Sequence, residues 1–445
     1  MNIFNKSKIL MLIAGDVIAL YCSLFLALFI RYGGDFYGQF AENHVTPFTV
    51  VFLLWIAIFY ISGLYDLRRL RNNLEFLKTL WLALVVNAVF AVFFFYLVPA
   101  FGITPKTNLF IFMAIFALFE TYWRRFFNRA VSSGEAPYKV LAVGNGDTAR
   151  EIYEFVKQNP QLGYKIEESV KEDAVESNPK KIYELAISKK INLIIIPRHL
   201  KSNPFLIREL YGLLNKGVEI RDLPNFYELT LRKVPLADLE EAWFLENLVG
   251  QQRFYDQLKR AAELLFALVL GIILLPIELI IAAIIKIASP GPLVYKQIRT
   301  GKNGRAFMLY KFRTMKIDAE KNGAEWASEK DSRATAFGKI LRHTHLDELP
   351  QLINIIKGDL SFVGPRPERP EFVAPLKERI PYYEVRLLVK PGVTGWAQIS
   401  YRYGASVEDA YEKLQYDIYY IKNRSVIFDL TIILRTIKTL FTAPK

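Results

Sequence analysis

Residues 342–367 read RHTHLDELPQLINIIKGDLSFVGPRP. Two adjacent carboxylates, Asp347 and Glu348, open a short helical pattern. Arg342 precedes them by about one and a half turns, and Arg366 follows in a Pro-Gly loop. Paired acids beside arginines suit phosphoryl transfer: the acids can hold a metal ion or attack phosphorus, and the guanidinium forks neutralise phosphate oxygens. The helical reading makes Asp347 an N-cap, with Glu348, Leu349 and Pro350 in the first turn, residues 351–357 beyond it and Gly358 as the C-terminal cap. That puts the acids at the positive end of a helix dipole. An N-cap with an acidic first turn is also among the commonest structural patterns. The flanking arginines and the loop that ends in Arg366 favour the chemical reading. His343 and His345 lack metal-ligand spacing and are read as packing or hydrogen-bonding groups.

Upstream, residues 261–285 form an apolar run long enough to cross a bilayer. Pro276 stands in its middle, where it removes a helical hydrogen bond. The flanks are basic on both sides: Lys259 and Arg260 before, then Lys286, Lys296, Arg299 and Lys302 after. Both flanks therefore prefer the cytoplasm, and Glu278 is costly in hydrocarbon, so the run is expected to enter the membrane and turn back at Pro276. Residues 293–315 (LVYKQIRTGKNGRAFMLYKFRTM) follow a Ser-Pro-Gly-Pro turn. They place Gln297, Arg299, Lys311 and Arg313 along two strands joined at Gly301 and Gly304. Such a basic hairpin touches lipid head groups or holds substrate phosphates. In the loop 390–398, Lys390, Thr394 and Gln398 surround Trp396; it either grips a nucleotide or sugar or is a turn over a core tryptophan. Residues 425–441 read as an amphipathic helix, on the membrane or packed on the domain.

Four apolar segments, residues 9–30, 47–64, 76–98 and 108–123, open the chain and read as a four-helix transmembrane bundle. Lys6 and Lys8 precede the first, Arg68, Arg69 and Arg71 lie between the second and third, and Arg124, Arg125 and Arg129 follow the fourth. The other two loops carry only Arg31 and Lys106, so both ends of the bundle face the cytoplasm. Asp16 is the one acid well inside the first segment, a functional group or, more simply, a helix-packing one. The first segment is long and has no small-residue cleavage site, so it is not expected to be a removed leader.

The middle of the chain alternates strands and helices. Residues 138–143, 191–197 and 218–223 read as strands of a parallel sheet, a Rossmann-like arrangement. Gly144-Asn145-Gly146-Asp147-Thr148-Ala149 suits a diphosphate at a helix N-terminus, yet no acid stands at the end of a second strand to take a ribose. The domain is either a nucleotide site or a spacer and dimer contact, so a homodimer stays among the expected assemblies. The formal charge of +13 suits an anionic membrane or a phosphate-bearing substrate. Its basic residues flank apolar segments rather than form one stripe, which argues against nucleic acid. A single cysteine, Cys22, excludes a disulfide framework and a cysteine zinc site.

The motifs SPGP at 289, KFRTM at 311, LDELPQL at 346, KGDLSFVGPRP at 357, KPGVTGWAQ at 390 and YDIYYIKN at 416 together resemble the bacterial sugar transferases, the polyprenyl-phosphate hexose-1-phosphate transferases. They cover nearly all of residues 255–445 in order. The membrane helices and the Rossmann-like middle resemble the large form of that family, which serves exopolysaccharide and O-antigen assembly. The resemblance implies that Asp347 attacks the sugar-linked phosphorus of a UDP-sugar and releases UMP. Undecaprenyl phosphate then takes up the sugar phosphate, glucose or galactose by default. It also implies that Glu348, with Asp347, binds Mg²⁺, and that Arg342, Arg366, Lys311 and Arg313 contact phosphate. Lys390, Thr394 and Gln398 contact the nucleotide or sugar, and Pro276 breaks a re-entrant helix. Leu275 and Glu263 stand where relatives often have Ser and Asp. Two other readings are an NAD-dependent nucleotide-sugar dehydratase using the Gly144 turn, which would need a Tyr-x-x-x-Lys pair farther downstream than Tyr153 and Lys157, and a non-catalytic assembly scaffold.

The expectation is thus an α plus α/β membrane protein of the bacterial inner membrane with both termini cytoplasmic. Residues 1–130 form the bundle, 131–250 the Rossmann-like domain and 251–445 a mainly helical catalytic domain with the re-entrant helix at 261–286.

Overall fold

The computed structural model describes residues 3–97, 107–133, 138–248, 253–288, 291–315, 333–401, 404 and 406–441. Lys106 and the Ser289-Pro290 half of the SPGP turn fall outside them. The chain forms two compact units, Met1–Leu231 and Arg232–Lys445.

In the first unit the four apolar segments are helices α1 (Ile3–Tyr32), α2 (Val45–Ile61), α3 (Leu74–Leu97) and α4 (Thr107–Ser133). Their inner faces are aromatic: Phe48, Phe52, Trp55, Phe112 and Phe116 are all buried and stack on one another. Their outer faces expose Leu10, Ile18, Leu53, Val85, Phe93 and Phe110, the pattern of helices solvated by hydrocarbon rather than water. Among the described residues three stretches are long and apolar enough to cross a membrane, Ser7–Ile61, Leu74–Leu97 and Phe254–Ile287; α4, the fourth expected span, is not among them.

Asp16 has a packing role. Arg124 of α4 donates to its Oδ2 at 2.5 Å, Tyr65 OH donates to the same oxygen at 2.6 Å, and Trp123 Nε1 reaches Oδ1 at 3.0 Å. Arg124 also binds Glu120 Oε1 at 2.6 Å and Leu64 O at 2.8 Å. All three charged side chains are fully buried, so the arginine neutralises acids that could not otherwise sit there.

The sheet of this unit has order β2-β1-β3-β4, all parallel, from β1 (Tyr138–Val143), β2 (Tyr164–Val170), β3 (Leu193–Ile196) and β4 (Glu219–Asp222). Three of these match the expected strands. The fourth, β2 (YKIEESV), lies at the sheet edge; its charged residues protect that edge and conceal the strand from an apolar pattern search. The turn before β2 meets the bundle's basic loops: Lys8 Nζ donates to Gln161 O at 2.9 Å, Gln161 Nε2 to Arg68 O at 3.0 Å and Arg71 to Asn159 Oδ1 at 2.6 Å. The start of α1 and the basic loop between α2 and α3 therefore both meet this turn.

The second unit starts earlier than the expected domain limit at 250. Val234, Leu236, Trp243 and Phe244 pack with Val373, Tyr383, Leu414 and Ile418. Val234 N also donates to Gln415 O, and Lys233 pairs with Glu412 at 2.8 Å. The Arg253–Ala288 helix then runs 36 residues with Pro276 inside it, where the sequence suggested a hairpin with a break. Ala267 packs with Leu309, Leu352 and Ile355 ahead of the proline, and Ile281 and Ile285 pack with Phe312 and Leu341 beyond it. Both ends of this helix thus lie on the same domain, while Ile272, Ile273, Leu279 and Ile280 between them are exposed.

β5 (Val294–Thr300) and β6 (Ala306–Phe312) form the expected antiparallel hairpin. β7 (Ser361–Val363) and β8 (Gly392–Thr394) form a short parallel pair. The Val407–Asn423 helix starts with a capping box between Ser406 and Asp409. The Val426–Phe441 helix buries Ile432 beside Trp396 and Tyr420, and exposes Val426, Ile427 and Leu430 on its other side.

Candidate active site

Asp347 and Glu348 lie in a 3₁₀ turn, Leu346–Glu348, between the Ala336–His343 and Gln351–Lys357 helices. The expected N-cap is not formed. His345 adopts a left-handed φ of 55° that turns the chain, and Glu348 N and Leu349 N bond back to His345 O and Leu346 O. Those bonds satisfy the amides that a cap would serve, so the Asp347 side chain is released from that task. The far end matches the sequence reading: Gly358 closes the Gln351–Lys357 helix with φ 90°.

The two acids are not equivalent. Lys311, brought over by β6, donates from Nζ to Glu348 Oε1 at 2.6 Å, and Arg366 stands 3.7 Å from the same oxygen. Asp347 is 92% buried, since 8% of it is exposed, and among the described residues no side chain hydrogen-bonds its carboxylate. Burial pushes the Asp347 carboxyl above its ordinary range; Lys311 opposes the rise and the Glu348 charge adds to it. Burial acts on Glu348 in the same direction, but Lys311 and Arg366 outweigh it and hold the group at about 2. One acid is therefore neutralised in place, and the other is a buried carboxylate beside cations that it does not bind.

Arg342 flanks the pair, its Nε donating to Thr314 Oγ1 at 2.9 Å, and its charge acts on Asp347. Arg313 follows β6 and is buried, its amide bonded to Leu293 O. Lys311, Arg342 and Arg366 thus converge on the acids. Among the described residues no group of three or more His, Cys, Asp or Glu side chains forms a metal cage. Mg²⁺ needs none, because one or two carboxylates with substrate phosphates and water complete its shell. Asp347 and the Oε2 oxygen of Glu348 fit that donor set, since both cations address Oε1.

The loop 390–398 is held internally. Thr394 Oγ1 shares a 2.6 Å hydrogen bond with Thr436 Oγ1, and Gln398 Nε2 donates to Val393 O. Trp396 is 98% buried, being 2% exposed, and its indole N–H donates to Arg232 O, so the core-tryptophan reading holds. Lys390 lies at the other end of the Gln351–Lys357 helix, near Gly358 and Arg260. Burial and the Arg260 charge push its ammonium pKa down. The glycines explain the motif: a Cβ on Gly392 would stand 2.1 Å from Gly364 N, and one on Gly364 would stand 2.4 Å from Lys390 O. The two motifs VGPRP and KPGVTG are the two sides of one backbone contact between β7 and β8.

In the α/β sheet, an acid follows the end of β2. Glu172, two residues past its end, pairs with His199 at 3.0 Å, and its Oε1 stands 3.3 Å from where a Gly144 Cβ would be. Tyr153 OH donates to Gly144 O at 2.7 Å and so packs the glycine turn. Apolar periodicity could not find Glu172, because the strand before it is mostly polar.

A family model described as bacterial sugar transferase matches residues 254–443. A UDP-N-acetylgalactosamine-undecaprenyl-phosphate N-acetylgalactosaminephosphotransferase of Aeromonas hydrophila is 43% identical over 200 residues, 44% of this chain and 47% of the relative, so the chain spans about half of that relative's length. A putative undecaprenyl-phosphate N-acetylgalactosaminyl 1-phosphate transferase of Bacillus subtilis (strain 168) is 48% identical over 133 residues, 30% of this chain and 74% of the relative. A UDP-glucose:undecaprenyl-phosphate glucose-1-phosphate transferase of Klebsiella pneumoniae is 27% identical over 448 residues, 95% of this chain and 93% of the relative.

Proposed function

The chain belongs to the bacterial sugar transferase family, and on that premise we propose that it moves a sugar 1-phosphate from a UDP-sugar to undecaprenyl phosphate through a covalent intermediate on Asp347. The observation that carries this reading is the inequality of the two acids: Glu348 is ion-paired, and Asp347 is buried without a hydrogen-bonding partner among the described residues.

An Asp347 oxygen attacks the phosphorus that bears the sugar. The bond from that phosphorus to the UMP oxygen breaks, and UMP leaves with the electron pair. An oxygen of the lipid phosphate then attacks the same phosphorus, frees the Asp347 carboxylate and forms the lipid-linked diphosphate sugar. Burial makes the Asp347 carboxylate poorly solvated and so a better nucleophile. Lys311, Arg342 and Arg366 face the charge that spreads over the phosphoryl oxygens. Mg²⁺ held by Glu348 and Asp347 would neutralise the diphosphate and favour departure of UMP.

The Arg253–Ala288 helix enters the membrane from the cytoplasmic face of a bacterial inner membrane and returns to it, carried by its exposed apolar middle and its two anchored ends. The names of the relatives include both glucose and N-acetylgalactosamine donors. The test is UMP release from a panel of UDP-sugars with undecaprenyl phosphate and Mg²⁺, with mass spectrometry of the protein after donor alone. A sugar-phosphate adduct on the Asp347 peptide is the expected result. UMP release with no adduct, and undiminished in Asp347→Asn, would overturn the covalent route.

A further inference from the structure

Residues 364–368, which carry Arg366, are anchored at every position by a different donor or acceptor. Gly364 N donates to Thr394 O, and the carbonyls of Pro365, Pro367 and Glu368 accept from Gly392 N, Arg299 and Thr300 N, each at 2.9 Å. The carbonyl of Arg366 itself accepts from Arg386 at 3.0 Å. Pro365 and Pro367 have no N–H, so this loop cannot brace itself, and its fixed shape comes from its neighbours.

Arg386 is in turn fixed. Its guanidinium forms a 3.0 Å ion pair with Asp417, donates to Tyr383 OH at 2.6 Å and stands 4.0 Å from Glu368. Side-chain exposure is 8% for Arg386 and 2% for Asp417. A buried ion pair is a weak source of stability, because desolvation offsets the attraction, and an apolar pair would hold two elements together as well. What an apolar pair could not do is donate to the Arg366 carbonyl. Arg299 resembles it: its Nε and Nη2 both donate to Gln297 Oε1, and its Nη1 donates to Pro367 O. Arg366 itself has 37% of its side chain exposed and stands 3.7 Å from Glu348 Oε1.

We propose that Arg386, held by Asp417, is a positioning residue for Arg366, and that Arg299 serves the same loop from the other side. The inference rests on the transfer reaction proposed above, in which Arg366 meets phosphate oxygens. It gives the YDIYYIKN motif a role through Asp417, although that residue lies on a separate helix from the acids. Displacing a phosphate-holding group by about an ångström is enough to cost on the order of a hundredfold in rate.

The experiment is a double-mutant cycle on the full-length chain, read as UMP release with melting temperature alongside. Asp417→Asn and Arg366→Ala should each lower kcat/KM by about ten- to a hundredfold. The double variant should be no slower than Arg366→Ala, because a strut has nothing to hold once its arginine is gone. Arg299→Lys, run in parallel, should be masked by Arg366→Ala in the same way. Wild-type kinetics in Asp417→Asn, losses that multiply in the double variant, or failure of both Asp417→Asn and Arg299→Lys to fold would each overturn the positioning role. A wild-type chain that releases no UMP removes the reaction itself and this inference with it; an active wild type with multiplying losses removes this inference alone.

Discussion

Lys311 Nζ sits 2.6 Å from Glu348 Oε1, and the same ammonium is the leading counter-charge to Asp347. One lysine therefore holds down the pKa of both acids. Lys311→Met should move the acid limb of the pH profile for UMP release to higher pH, by roughly one unit or more, the usual effect of an adjacent opposite charge. A profile that keeps its limb in Lys311→Met would show that the lysine acts only on folding.

The two acids should affect stability in opposite directions. Glu348 has a folded pKa of about 2, below its ordinary 4.5. Its contribution is complete above 4.5 and is lost as pH falls from there towards 2. Glu348→Gln should thus flatten the fall in melting temperature across that window. Asp347 is raised, so its ionised form costs stability at neutral pH. Asp347→Asn should melt higher than wild type at pH 7 while UMP release falls more than about a thousandfold, the order seen on removal of a covalent nucleophile. A variant that melts lower would show that the carboxylate supports the fold.

Gly392→Ala places a methyl 2.1 Å from Gly364 N, a backbone atom that cannot turn aside. The strain should cost about 1–3 kcal/mol or more. It should also displace the Arg366 loop, since Gly392 N is bonded to Pro365 O. Calorimetry and UMP release should therefore fall together, and an alanine variant with wild-type melting would contradict this packing.

Arg124→Met leaves Asp16 and Glu120 buried together without their arginine, and should cost about 3–5 kcal/mol. Adding Asp16→Asn and Glu120→Gln should recover much of that loss, because the remaining groups are neutral. Thermal melting in detergent distinguishes the two variants; equal melting would mean that the cluster is not fully desolvated.

The apolar segments and the strands at 138–143 and 193–196 were legible because continuous burial leaves a continuous apolar run. The nearness of Arg342 and Arg366 to the acids was legible from the local stretch that holds all four residues. β2 was not, because an edge strand with Lys165, Glu167 and Glu168 has no apolar run. Nor was the division of labour between Asp347 and Glu348, which depends on a lysine 37 positions away. Lys390, Thr394 and Gln398 were read as ligand contacts because polar residues beside glycines look like a binding loop. There the glycines serve a close backbone approach, and the Thr394 and Gln398 side chains bond within the domain.

The Asp16–Arg124 pair also bears on how the chain is made. An isolated Arg or Asp at the centre of a membrane helix costs about 2.5–3.5 kcal/mol and less towards its ends. α4 carries Glu120 and Arg124, and its acceptor Asp16 lies on α1. The two helices are far apart in the chain, so Asp16 gains its arginine only when α4 packs against α1.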